Sequence, residues 1–182
     1  MHPAGSAPSD VPEILIVEDS RTQAEKLLYL VESKGYRART AGNGKLALAA
    51  IAESKPALVL SDIVMPEMNG YELCRAIKSE APWADIPVVL VTSLTDTQDI
   101  LYGLECGADN FIRKPYAEEY LLSRLEQILM SRRLRQTDNT GGGIAMFLRG
   151  RKHVIHAERQ QILDLLISIY EQAVLVNEEL RT

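Results

Sequence analysis

Three carboxylates and one lysine, far apart along the chain, carry the chemistry that can be read from it: Glu18 and Asp19, then Asp62, then Lys114. They follow the short apolar runs Ile14–Val17, Ala57–Leu60 and Phe111–Ile112, so all of them sit where buried strands would end. Open α/β sheets hold their ligands at the carboxyl ends of parallel strands. Carboxylates gathered there repel one another and stay ionised together only beside compensating charge, which a divalent cation and an ammonium supply. The set reads as a Mg²⁺ and phosphoryl site.

Hydrophobic periodicity predicts the elements that must position these residues. After a Pro- and Ser-rich tail over 1–10, a buried strand over 13–17 precedes a helix opened by Asp19 or Ser20, with Ala24, Leu27, Leu28 and Val31 on one face and Gly35 at its close. A strand near 36–41 leads to a helix around 45–53, which Lys55-Pro56 breaks before a third strand over 57–61. Pro66 and Gly70 bracket a loop, Tyr71, Leu73, Cys74 and Ile77 follow at helical spacing, and Pro87 introduces the strand Val88–Val91. A helix over roughly 97–105, a strand at 109–113 and a helix over 117–134 complete five β-α units. Such alternation implies a parallel sheet with helices on both faces and right-handed crossovers. In a flavodoxin-like order the first and third strands are neighbours, which brings Asp19 to Asp62 at the switch point.

Composition narrows the class. With 182 residues, 46% apolar and 25% charged, the chain can bury one ordinary core and carry a modest appendage. A net charge of −5 argues against a general nucleic-acid binder. Cys74 and Cys106 form no C-x-x-C and have no His at metal spacing, so they read as free thiols of a reducing compartment. The first residues lack a basic segment followed by an apolar one, and no apolar run reaches the length of a membrane span. The expectation is a cytoplasmic protein without a membrane partner.

Four ordered motifs carry a family resemblance: Val17-Glu18-Asp19-Ser20, Ser61 to Gly70 (SDIVMPEMNG), Val91-Thr92-Ser93, and Ala108 to Pro115 (ADNFIRKP). Residues 13–133 resemble the CheY-like receiver domain of two-component response regulators. The resemblance implies a flavodoxin-like, doubly wound five-stranded parallel sheet of order 2-1-3-4-5. It implies that Asp62 is the phosphoacceptor, taking a phosphoryl group from the phosphohistidine of a histidine kinase or phosphotransfer protein, or from a small donor such as acetyl phosphate. Asp19, Asp62 and the Val64 carbonyl would bind Mg²⁺, with Glu18 acting through water, and Lys114 would meet a phosphoryl oxygen, aimed by a bond before Pro115 that is often cis in the family. Thr92 would donate its hydroxyl to the phosphoryl group and Phe111 matches the switch aromatic. A full two-state switch needs about 5.5 kcal/mol of differential interaction. Two or three charge-assisted hydrogen bonds of about 1.5–3 kcal/mol each supply it. Thr92 would move toward the phosphate and Phe111 inward, changing the surface built from the helix over 97–105, the fifth strand and the helix over 117–134.

Other readings of the same residues stand beside this one. Asp19 and Thr92 could be helix caps, Lys114 a solvated charge and Phe111 plain core. A haloacid-dehalogenase-type phosphohydrolase also forms an aspartyl phosphate, but Val64 stands where that family needs a second Asp. The expected role is therefore a signalling phosphoacceptor whose only chemistry is its own phosphorylation and dephosphorylation. In receivers the side chains two residues beyond the phosphoacceptor and two beyond the threonine hold or exclude the hydrolytic water. Here they are Val64 and Leu94, apolar and unable to orient water, which predicts a long-lived phosphorylated state.

Beyond the receiver-like segment, taken as 11–134, residues 135–143 read as a linker around Gly141-Gly142-Gly143. Ile144–Leu148 and Arg151–Ile155, joined by Arg149-Gly150, suggest a hairpin that must pack on something. From Ala157 a long helix places Ile162, Leu166, Ile169, Ala173, Val176 and Leu180 at coiled-coil spacing. A packed core helix is the plain alternative to a dimer seam. With no Gly or Pro stop near Leu180, the helix suggests a connector to a kinase, sensory or nucleotide-cyclase output domain. The expectation is a homodimer forming part of a longer regulator or hybrid kinase. A stand-alone single-domain regulator or a constitutive dimerisation scaffold is the alternative. A helix-turn-helix output is disfavoured by the short, coiled-coil-like tail.

Overall fold

A computed structural model describes residues 11–93, 102, 103, 105–137, 144–148, 151–155 and 166. The chain divides into two compact units, Met1–Leu129 and Met130–Thr182. In the first, β1 (Glu13–Val17), β2 (Arg37–Ala41), β3 (Leu58–Asp62), β4 (Val88–Thr92) and β5 (Asn110–Arg113) form one sheet of order β2-β1-β3-β4-β5. All four pairings are parallel. The helices are α1 (Arg21–Ser33), α2 (Gly44–Glu53), α3 (Gly70–Ser79) and α4 (Glu118–Thr137). Tyr102, Gly103 and Glu105 are helical, inside the segment predicted as a helix over 97–105; the rest of that prediction lies outside the described residues, as does the 1–10 tail.

The continuous apolar runs exist because each central strand is buried on both faces. Ile14, Ile16, Leu58, Leu60, Val89, Val91 and Ile112 pack on Leu27, Leu30 and Val31 of α1 and Leu121, Leu122 and Leu125 of α4. Their neighbours Leu15, Val17, Val59, Val88 and Leu90 face Ala47 and Ile51 of α2 and Leu73, Cys74 and Ile77 of α3. On α1 the buried face is Ala24, Leu27, Leu30 and Val31, with the predicted Leu28 only half-buried. Cys74 and Cys106 are free and buried, as expected of structural thiols.

Local signals fix the helix starts. Ser20 caps α1, Asn43 caps α2, and Asn69 forms a capping box with Glu72 at α3. Gly35 ends the α1 segment at φ +84°, a conformation that costs glycine little. The α4 helix continues to Thr137, three residues into the segment read as a linker. In the second unit, β6 (Ile144–Leu148) and β7 (Arg151–Ile155) pair antiparallel, from Ile144↔Ile155 to Leu148↔Arg151, as the predicted hairpin requires. Leu166 is helical and exposed; Ile162, Ile169, Ala173, Val176 and Leu180 of the expected seam lie outside the described residues. Among the described residues, no helix is long and apolar enough to cross a membrane.

Candidate functional site

Strand register assembles the site. Val17 pairs with Ser61, Asp62 with Val91, and Thr92 with Arg113, so the strand ends of β1, β3, β4 and β5 stand level. Glu18 and Asp19 leave β1, Asp62 and Thr92 end β3 and β4, and Lys114 follows β5. Two backbone bonds hold this rim: the Glu18 N–H donates to the Ala41 carbonyl (3.0 Å) and the Lys114 N–H to the Thr92 carbonyl (2.7 Å). The Lys114-Pro115 peptide is cis.

Carboxylate oxygens of Glu18, Asp19 and Asp62 lie within 4.8 Å of one another. Glu18 is buried, Asp62 half-buried and Asp19 exposed. The Lys114 ammonium donates to Asp62 Oδ2 at 3.0 Å and pairs with Glu18 Oε2 at 3.5 Å. Asp62 Oδ1 accepts the Ile63 N–H at 2.7 Å, and Glu18 Oε1 accepts the Ser20 N–H at 3.1 Å. Burial, reinforced by the charges of Asp62 and Asp19, pushes the Glu18 carboxyl above the usual carboxylate range, against the pull of the Ser20 N–H and of Lys114. Burial also works against the Lys114 ammonium, but the hydrogen bond and charge of Asp62 and the charge of Glu18 outweigh it and raise its pKa. One ammonium thus meets two of the three carboxylates, and the cluster keeps a net negative charge.

That residual negative charge fits a small divalent cation. Oxygen-only donors, two of them reachable from solvent and the third buried beside them, match what Mg²⁺ prefers. Thr92, buried at the end of β4, and Lys114 flank the same rim. Phe111 pairs with Leu90 and packs partly buried against the α2/α3 side of the core. Its ring fills the space that a side chain at Gly103 would need. Val64 is 65% exposed, and Leu94 lies outside the described residues.

Two residues not anticipated from sequence join the site. Gln23, in the first turn of α1, accepts from the Lys114 ammonium through Oε1 at 3.0 Å. Gly70, at the start of α3, presses on the backbone of the Asp62–Ile63 step: an added Cβ would collide with the Asp62 carbonyl oxygen and lie 2.9 Å from Ile63 Cα. In the sequence Gly70 read as a loop end and as the close of the Ser61–Gly70 motif, and Gln23 was not singled out at all, although Ser20-x-x-Gln23 has the pattern of a capping box.

Fold and site together define a doubly wound α/β protein with a carboxylate and ammonium cluster at its topological switch point. The chain belongs to the response regulator receiver domain family, which matches residues 14–126. It is 37% identical over 126 residues to the DNA-binding response regulator MtrA of Mycobacterium tuberculosis, covering 69% of this chain and 52% of that protein. Among solved structures, the signal receiver domain of a signal transduction histidine kinase from Syntrophus aciditrophicus is 40% identical with TM-score 0.64, covering 76% of this chain and 99% of that one. The receiver domain of sensor histidine kinase PA1611 from Pseudomonas aeruginosa, described with magnesium in its active-site cleft, shares the fold at 24% identity and TM-score 0.62, over 66% of this chain and 99% of that one. The chain spans about half the length of the curated relatives it matches. Because MtrA is described as DNA-binding, the expectation against a nucleic-acid partner, read from net charge, does not extend to whole proteins of this kind.

Proposed function

We propose that Asp62 accepts a phosphoryl group from the phosphohistidine of a histidine kinase or phosphotransfer protein. The observation that carries this reading is the Lys114 ammonium 3.0 Å from Asp62 Oδ2, within a cluster of three carboxylates at the strand ends. With acetyl phosphate as donor, an Asp62 oxygen bonds phosphorus, the bond from phosphorus to the acetyl oxygen breaks, and acetate leaves without a proton. Asp19, Asp62 and the Val64 carbonyl would hold Mg²⁺ directly and Glu18 through water; the ion supplies charge neutralisation between carboxylate and phosphoryl oxygens. Lys114 orients the incoming group as a compact positive charge, and the Thr92 hydroxyl donates to it. The Ile63 N–H fixes the Asp62 rotamer by holding Oδ1.

The phosphoryl group then draws Thr92 toward it and settles Phe111 inward, which alters the surface around β5 and α4. We assign residues 11–134 to the receiver and 144–182 to a connector that dimerises through Ile162, Leu166, Ile169, Ala173, Val176 and Leu180 and acts on an output domain in a longer chain. Support for that assignment is the observed hairpin and the exposed, helical Leu166. Light scattering coupled to size exclusion tests both parts, on wild type and Asp62→Asn, with and without Mg²⁺ and beryllofluoride. A change of mass or shape in wild type alone is expected. A dimer unchanged in every condition makes the helix a constitutive seam, and a monomer throughout removes the seam.

A further inference from the structure

The start of α1 has the sequence of a capping box, Ser20-x-x-Gln23, in which the glutamine normally reaches back to the N–H of the cap residue. Half of that box is present: Ser20 Oγ accepts the Gln23 N–H at 3.5 Å. The other half is diverted, because the Ser20 N–H donates to Glu18 Oε1 at 3.1 Å instead. At α3 the same motif closes fully, with Glu72 bonded back to the Asn69 N–H at 2.9 Å. The Gln23 carboxamide is turned to Lys114 Nζ, 91 residues away in sequence.

An ammonium has three donors on a flexible stem. Asp62 and Gln23 take two of them at 3.0 Å each, while Glu18 attracts the same ammonium at 3.5 Å. Two carboxylates compete for one lysine, and a neutral acceptor on a third side settles the contest without adding negative charge against an anionic donor. We propose that Gln23 is a positioning residue that holds the Lys114 ammonium over Asp62 and thereby sets the rate of phosphorylation. The inference rests on Asp62 being the phosphoacceptor.

The test is a double-mutant cycle on the full chain, following phosphoryl uptake from acetyl phosphate with Mg²⁺ by intact mass. Gln23→Met keeps the length of the side chain and removes its acceptor; losing one hydrogen bond to the ammonium is expected to slow uptake about three- to tenfold. In a Lys114→Ala background the same substitution is expected to change the rate less than about twofold, because the acceptor has nothing left to hold. Thermal unfolding of Gln23→Met should match wild type, which separates positioning from a fold defect. A wild-type rate in Gln23→Met, or an equal loss in both backgrounds, overturns the inference. Undiminished uptake by Asp62→Asn instead overturns the reading on which it rests, so the two failures are distinguishable.

Discussion

Substituting Gly70 by alanine should damage the phosphoacceptor through its backbone. Gly70 is buried at the first position of α3, and its N–H donates to the Ile63 carbonyl at 2.9 Å. The new Cβ would collide with the Asp62 carbonyl oxygen and sit 2.9 Å from Ile63 Cα, against a carbon–carbon optimum of about 3.5–4.0 Å. Something must move by roughly 0.6–1.1 Å, and every atom in the way is backbone, so no rotamer offers an escape. Asp62 cannot yield freely: it pairs with Val91 in the sheet, and its carbonyl already accepts the Ser61 hydroxyl at 2.8 Å. Overpacking of this kind costs about 1–3 kcal/mol, partly offset by about 0.5–1 kcal/mol from the better helix propensity of alanine. A loss near 1–2 kcal/mol lowers Tm by roughly 2–8 °C in a chain of this size. Displacing Asp62 by about 1 Å should slow phosphoryl uptake by up to roughly a hundredfold. The control is Gly42→Ala, where the nearest atom to an added Cβ is Leu46 Cδ1 at 4.0 Å, so stability should stay within about 0.5 kcal/mol of wild type. Circular dichroism melts and acetyl phosphate kinetics on both variants decide the matter. If Gly70→Ala melts and reacts like Gly42→Ala, the argument that α3 is seated against Asp62 is wrong.

Glu18 has a folded pKa above its ordinary value of 4.5, so with a chelator present its contribution to stability is lost as pH rises from 4.5 through the folded pKa. Glu18→Gln should flatten that decline, stabilise the metal-free protein at neutral pH and weaken stabilisation by Mg²⁺, since Asp19 and Asp62 remain as direct ligands; identical pH profiles for the two proteins would dispose of this account. Gly103→Ala should evict the Phe111 ring, which a Cβ there would overlap. The chain has only two phenylalanines, so selective labelling should show Phe111 shifting in NMR spectra while Phe147 stays, and unshifted resonances would count against the packing. Acidic or amide residues at Val64 and Leu94 should shorten the lifetime of the phosphorylated state, measured as decay of the adduct mass after donor removal; no acceleration in single or double variants removes the water-exclusion argument.

Much of this architecture was legible because its signals are local. A strand buried on both faces must be apolar at every position, and Ile14–Val17 and Val88–Val91 are. The start of α1 was legible as Asp19 or Ser20, and it is the Ser20 side chain that satisfies an orphan N–H within three residues. Less legible was which apolar residue of α1 is buried: Leu28 and Leu30 both fit an amphipathic stripe, and packing on β1 and β3 selects Leu30. Phe111 was placed by motif, but its seat at Gly103 follows from a helix and a strand meeting in space.

By itself, then, the sequence determined the succession of strands and helices, the acidic and basic residues at the strand ends, and the family they belong to, because period and capping act over a few residues. Tertiary structure alone decided the level strand ends that bring Glu18, Asp62, Thr92 and Lys114 to one rim. It also decided that Gln23 leaves its capping box for Lys114 and that Gly70 bears on Asp62. Those contacts depend on strand register and on where helices land across the sheet, and neither is written in the spacing of residues along any one segment.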